Sequence, residues 1–405
     1  MVLIHRINDK VNNHLIGSEM TDVVQFEEMV CDNGKIIAVA TLNAPKSLNA
    51  LSGDMIALLY LKLLQWQQQG NIVAVFLQGS GDKAFCAGGD IVHLYQAMKS
   101  EAMHLNKGEK ATADPSENSA ALIENYFTKE YQLDFLIHQF KKPFIVWGHG
   151  IVMGGGLGLL SGASHRVVTE KSRIAMPEIS IGLFPDVGAS YFLNQMPSGN
   201  GLFLALTGAS INACDAKFCQ LADVFITHSN KETVLAQLCQ VNWSDSIPSN
   251  HMLLSTLLIK VEQACLSQIP DSELINHQVL IQSLVNLKSV ELVYDAIVEN
   301  DIDDKWFNRA QKSLMSGSAL SAHIAYRQLG AGKNLSLADC FRMELNLAVN
   351  SGFFGEFAEG VRALLIDKDS NPSWRFDAIM QVEESVVDWF FEPRWQGTEH
   401  PLVHL

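Results

Sequence analysis

No run of about 18 apolar residues occurs, so nothing in the chain reads as a membrane-spanning helix. The seven cysteines form no CxxC pair, and none stands at zinc-finger spacing from a histidine. The scattered set of Cys31, Cys86, Cys214, Cys219, Cys239, Cys265 and Cys340 fits free thiols in a reducing compartment. Basic residues are scarce, 29 Lys and Arg against 44 Asp and Glu, and a formal net charge of −15 without a Lys/Arg cluster argues against nucleic acid as a main partner. An anionic ligand therefore needs a local basic site. There is no GxGxxG, because Met153 stands where Gly148 and Gly150 would require the third glycine. No GK[ST] follows a glycine run, and there is no GxSxG elbow or HExxH, which removes the P-loop, serine-hydrolase and zinc-protease readings. The opening MVLIHRINDKVNNHL carries too short an apolar run for a signal peptide. These absences leave a cytoplasmic enzyme with no metal or redox cofactor, no nucleic-acid partner and no membrane partner as the expectation.

What is present is an ordinary globular composition, 48% hydrophobic and 18% charged over 405 residues, long enough for two domains. From about residue 36 the pattern is α/β. IIAVATL reads as a buried strand and NAPKSLNALS as a loop with helix-start chemistry. DMIALLYLKLLQWQQQ reads as an amphipathic helix with Ile56, Leu59, Tyr60 and Leu63 at helical spacing, and IVAVFLQG as a second strand closed by the turn GSGD. Strand, helix, strand implies a crossover unit. Residues 99–118 are polar, lack apolar periodicity at their centre and read as a mobile loop or insertion. ALIENYFTKEYQLDFLIHQF resumes as a helix, KKPFIVWGH as a strand, and HRVVTE and SRIAMP as two short strands. Beyond about Val241 the character is helical: SDSIPSN reads as a linker, and EFAEGVRALLIDKD places Phe357, Val361, Leu364 and Leu365 on one face. The expected division is a catalytic core over 21–240 and an α-helical region over 241–405.

Two glycine-bearing stretches, KAFCAGGDI and HGIVMGGGLGLLSG, stand where strands give way to helices. Glycine lets a backbone approach a ligand closely, and the first amides of a helix have no intrahelical acceptor. Such stretches serve tight turns and packing, or they donate to an anion. Further on, MPEISIGLFPDVGASYF holds Glu178 and Asp186 in a run otherwise rich in apolar and small residues; Gly182 and Pro185 make it a turn-rich loop rather than a helix. One acid could cap a helix and the other face water. Alternatively both border an apolar pocket, where desolvation raises a carboxyl pKa. Two backbone-donor stretches with an acid pair are the parts of an acyl-transfer or enolate site: amides on a thioester oxygen, an acid to handle the proton. Of the thirteen histidines, His149 lies near these residues without a ligand partner at metal spacing, and His165 precedes a strand; both read as structural. Cys86 reads as a small buried apolar side chain.

In order along the chain, NAPKSLNAL, KAFCAGGDI, HGIVMGGGLGL, AMPEISIGLFPDVGASYFL, FLALTG and EGVRALLIDKD resemble the crotonase (enoyl-CoA hydratase/isomerase) superfamily, and within it the branch of 3-hydroxyisobutyryl-CoA hydrolases. The resemblance covers roughly residues 25 to 375. It implies an α/β fold, the crotonase (ClpP-like) spiral of ββα units, with a mostly α-helical C-terminal region and CoA in an extended groove. It also implies that Ala87 and Gly155 supply two oxyanion-hole amides, that Glu178 is the catalytic glutamate, and that Asp186 is the acid marking the hydrolase branch. Glu130 matches a further substrate-contacting glutamate, and Lys46 and Asp90 lie where such proteins handle CoA. CoA enters as part of the substrate, and the resemblance admits a homo-oligomer.

One departure carries weight. Hydratases of this superfamily have a second glutamate shortly after the GGG turn, and this chain has Gly158 there. Losing one of two carboxylates works against adding water across a carbon–carbon double bond. The expectation is hydrolysis of a short 3-hydroxyacyl-CoA, 3-hydroxyisobutyryl-CoA in valine breakdown first, with Glu178 activating water or attacking the carbonyl and Asp186 contacting the hydroxyl or assisting proton movement. An isomerase or hydratase of the same fold and a non-catalytic acyl-CoA binder are the alternatives.

Overall fold

The near-continuous apolar runs behave as strands buried on both faces do in parallel sheets. β3 (Ile36–Leu42), β4 (Ile72–Gly79), β6 (Phe144–Gly148), β8 (His165–Val168) and β10 (Val224–Phe225) pair in parallel in that order. β1 (Ile4–Arg6) and β2 (Val24–Val30) add two antiparallel strands at the β3 edge, which makes a seven-stranded sheet. A smaller sheet runs β5 (Ala84–Cys86), β7 (Ile151–Met153), β9 (Arg173–Ala175). The chain thus alternates a strand of the large sheet with one of the small sheet, then a helix, as in β6, β7 and the helix Gly155–Gly162. This repeating ββα order is the spiral expected. The computed structural model describes Ile4–Arg6 and residues 23–100 and 119–405. Most of the polar stretch expected to be a mobile loop lies outside the described residues.

Local chemistry places the elements. Ser52 caps the helix Gly53–Gln68 by accepting from Met55 N–H at 3.2 Å, with Asp54 in the first turn, and the helix buries Met55, Ile56, Leu59, Leu63 and Trp66. Ahead of it, Leu48 and Asn49 take left-handed conformations at φ 56° and 57°. Buried Asn49 accepts from Ala44 N–H and donates to the carbonyls of Ser80 and Ala84, so one side chain ties this loop to the turn before β5.

Packing divides the chain differently from composition. One compact unit comprises the residues up to Gly89, Leu133–Ile174 and Asn212–Ser272 and holds both sheets; the other comprises Asp90–Gln132, Ala175–Ile211 and Glu273–Leu405 and is helical. The last described strand ends at Phe225, ahead of the boundary expected at 240/241, and the packing units interleave along the sequence. SDSIPSN is only partly a connection: Ser246 caps the helix Ile247–Cys265, with Pro248 in its first turn, where a missing N–H costs nothing. In EFAEGVRALLIDKD, Phe357 and Val361 are buried as expected, but a π-helical turn over Arg362–Ile366 inserts a residue into the helical register. Ala363 is buried in consequence, and Leu364 is 42% exposed.

Candidate active site

The two glycine stretches meet within the sheet-bearing unit. β5 and β7 run parallel, Cys86 beside Val152, so their C-terminal ends emerge together. A Cβ on Gly156 would lie 2.3 Å from the Cys86 carbonyl oxygen, so only glycine permits this approach. The helix Gly155–Gly162 starts there, and its first amides, Gly155 and Gly156, have no acceptor among the described residues. The Gly155 N–H is therefore an available donor.

Ala87 is not. Its N–H donates to Leu48 O at 3.1 Å, which removes residue 87 as an oxyanion donor. The amide two residues on takes its place by peptide geometry. Leu51 N–H donates to Gly88 O at 2.8 Å, and in a trans peptide the following N–H, that of Gly89, points the opposite way. That amide has no acceptor among the described residues either. Met153 to Gly155 pass within 3.4–4.0 Å of where a Gly88 Cβ would stand, so the second glycine turn lies close by.

Lys46 is exposed in the turn Pro45–Ser47 and lines, with Asp82, Lys83 and the Ser80–Gly81 turn, a cavity of about 390 Å³. Two lysines and one aspartate thus border the opening. Asp90 precedes the 3-10 turn Ile91–Leu94 and belongs to the helical unit rather than to this cavity. His149 is buried, bonds Gly81 O through Nε2 at 2.8 Å and stacks on His228 at 4.5 Å between ring centroids. Burial lowers its pKa to about 4, so at neutral pH it is an uncharged spacer behind the cavity turn.

The acids gather in the helical unit. Glu130, Glu178 and Asp186 are 3%, 5% and 5% exposed, and Tyr131 donates its O–H to Asp186 Oδ2 at 2.8 Å. Burial pushes Asp186 up to about 6, against the pull of that phenolic hydrogen bond. Burial and then the Asp186 charge raise Glu130, and burial, Asp186 and Glu130 together hold Glu178 well above the ordinary carboxyl range. Glu178 Oε2 has no hydrogen-bond partner among the described residues. One group that ionises first beside two that resist ionisation is the arrangement that separates acid and base roles.

Residues far along the chain hold the acid loop, and the sequence reading missed them. The 3-10 turn Glu178–Ile181 ends at Gly182 with φ 67°. A Cβ on Gly182 would meet Glu356 O at 2.5 Å, and one on Gly360 would meet Ile181 C at 2.3 Å, so the helix Glu356–Val361 lies directly on the loop backbone. Ser318 N–H donates to Ile179 O at 3.0 Å, while its hydroxyl bonds Glu356. Glu344, fully buried, accepts the amides of Gly188 and Ser190. The signal for Glu344 was in plain view in MELNLAV, a lone acid among apolar neighbours, which is the feature that singled out Glu178 and Asp186.

A family model described as enoyl-CoA hydratase/isomerase matches residues 37–391. The chain belongs to the enoyl-CoA hydratase/isomerase family. Among curated relatives, a Xenopus tropicalis protein named 3-hydroxyisobutyryl-CoA hydrolase, mitochondrial, is 36% identical over 94% of this chain and 92% of its own length. A Danio rerio protein of the same name is 35% identical, again covering 94% of this chain and 92% of its own length. Among solved structures, an enoyl-CoA hydratase from Rhodobacter sphaeroides 2.4.1 superimposes with a TM-score of 0.75 at 26% identity, covering 92% of this chain and 98% of that one. At position 158 a buried glycine donates its N–H to Gly154 O and offers no carboxylate.

Proposed function

We propose that this member of the enoyl-CoA hydratase/isomerase family hydrolyses a short-chain 3-hydroxyacyl-CoA thioester, 3-hydroxyisobutyryl-CoA first among them, to the free hydroxy acid and CoA. The carrying observation is the buried trio Glu130, Glu178 and Asp186, in which Tyr131 fixes the most acidic member and Glu178 keeps an oxygen free of protein partners. The names of the relatives, at 35–36% identity over most of the chain, support the substrate. The step adds water across one bond: oxygen joins the carbonyl carbon, the carbon–sulfur bond breaks, and the thiolate leaves with a proton.

Each group has a task. Amides such as those of Gly89 and Gly155 stabilise the charge that develops on the thioester oxygen, an interaction stronger in the transition state than in the ground state. Glu178 as carboxylate takes the proton of the attacking water or adds to the carbonyl carbon itself. Asp186, held by Tyr131, accepts the hydrogen bond of the substrate's 3-hydroxyl, and Glu130, whose ionisation burial and the Asp186 charge disfavour, keeps that region polar. Lys46 and Lys83 answer the phosphates of CoA. The reading as a valine-breakdown enzyme follows from the substrate. The seven cysteines, all present as thiols, support a reducing compartment, for which we retain the cytoplasm; the word mitochondrial belongs to the relatives' names.

The test is thiol release over a panel of short acyl-CoAs with and without a 3-hydroxyl. Release from the hydroxylated members, 3-hydroxyisobutyryl-CoA above the rest, is the expected result. Conversion of an enoyl-CoA without free thiol would instead establish the hydratase or isomerase alternative. Label found in the Glu178 carboxyl after single turnover in heavy-oxygen water would establish the anhydride route, with water attacking the glutamyl carbon.

A further inference from the structure

The turn that carries Asp186 is held from behind by side chains more than a hundred residues away. Val187 adopts φ 52°, a left-handed conformation that a β-branched residue takes only when its surroundings impose it, and Gly188 continues at φ 90°. Glu344, on the helix Leu337–Phe354, accepts Gly188 N–H on Oε2 at 2.7 Å and Ser190 N–H on Oε1 at 2.8 Å. Gln328, on the helix Ala319–Gly332, donates to Pro185 O on the other side of Asp186 and to Ser190 Oγ. One turn before Glu344, the Phe341 ring comes within 3.1 Å of where a Gly188 Cβ would stand. The backbone is therefore bracketed on both sides of Asp186, and Tyr131 orients the side chain itself.

We propose that Glu344 is the positioning residue for Asp186: its two carboxylate oxygens hold the adjacent amides and so impose the left-handed turn that presents Asp186 to the substrate's 3-hydroxyl. The inference rests on the hydrolase reading and extends it to a group that touches no substrate. Two parallel N–H donors require two acceptor oxygens. A glutamine offers one, and its amide N–H₂ would confront the second donor, so Glu344→Gln keeps the volume and breaks one bond. Glu344→Asp keeps both acceptors on a shorter stem.

The decisive experiment is a double-variant cycle on thiol release with Asp186→Asn and Glu344→Gln. Glu344→Gln is expected to lower kcat about 10- to 100-fold with KM within about threefold, because a small misplacement is felt in the chemical step more than in binding. It should also narrow the preference for the hydroxylated substrate, as Asp186→Asn does, and Glu344→Asp should recover part of both. In the Asp186→Asn background, Glu344→Gln should change kcat by less than about twofold, since a residue acting through Asp186 has nothing left to position. Multiplicative losses in the double variant, or wild-type kcat and selectivity in Glu344→Gln, would overturn the assignment. If Glu344→Gln does not fold, the same cycle is run with Glu344→Asp under the same criteria. Wild-type protein that releases no thiol from any substrate defeats the hydrolase reading instead. In that case, faster amide exchange at Gly188 and Ser190 in Glu344→Asp sustains the clamp, and unchanged exchange refutes it.

Discussion

The donor turns and the acid cluster are made of different material. In the sheet-bearing unit the chemistry lies in the main chain: amides left without acceptors where β5 and β7 end, fixed by strand pairing and by glycines that admit no Cβ. Such donors carry no titratable charge and work alike at any pH at which the fold persists. In the helical unit the chemistry lies in side chains whose charge is costly to bury, and helices drawn from the last third of the sequence hold them in place. The first region gives a constant electrostatic field, and the second gives a proton inventory that pH and neighbours can change. Variants in the two regions should therefore fail in different ways.

The largest effect expected is on the acid side. Glu178→Gln should lower kcat about a thousandfold, within the range for a lost general base, while acyl-CoA still binds; steady-state thiol release and equilibrium binding together show it. On the donor side, Gly156→Ala sets a Cβ against the Cys86 carbonyl and should cost about a hundredfold in kcat along with a lower Tm, with the pH optimum unmoved. Asp186→Asn should cost about 10- to 100-fold and reduce selection for the 3-hydroxyl, read as the ratio of kcat/KM for hydroxylated and plain substrates. Smaller still, Lys46→Ala should raise KM about two- to fivefold with kcat unchanged, since an exposed charge contributes little.

The buried acids and the buried histidines pull the pH dependence of stability in opposite directions, since burial lowers His138, His149 and His165 to about 4. Burial raises Asp186 from 3.8 to about 6 and holds Glu130 and Glu178 well above the ordinary carboxyl range, so between their unfolded and folded values the unfolded chain ionises where the folded one does not. At these acids the folded state binds more protons, and their contribution is fully present below the unfolded values and is lost as pH rises through the folded ones. In thermal melts from pH 4 to 7, the wild-type Tm should fall relative to that of Asp186→Asn as pH rises, because only the wild type carries that raised carboxyl.

Much of this comparison is legible in the sequence, and unevenly so. Strands such as Ile36–Leu42 and the helix after Ser52 announce themselves because pattern and caps agree locally. Glu178 and Asp186 are visible as acids in apolar surroundings. The donor at residue 87 was misplaced because motif spacing locates a turn without saying which amide the neighbouring segment takes; Leu48 O takes that one. Tyr131 and Gln328 escaped notice because their roles depend on contacts more than fifty residues away along the chain, which no local pattern records; Glu344 shows locally as a lone acid, but its partners at 188 and 190 do not. The π-helical turn after Val361 escaped for a related reason, since 3.6-residue periodicity assumes the register that the turn breaks.

The most direct measurement is kcat/KM for thiol release between pH 5 and 9, in wild type and in Asp186→Asn. With Glu178 acting as a carboxylate whose pKa burial and the Asp186 charge raise, the rate should climb with pH through a value above the usual carboxyl range. Removing that neighbouring charge should shift the climb to lower pH. A rate that falls over the same range, or a profile that stays in place when Asp186 is neutralised, would contradict the account.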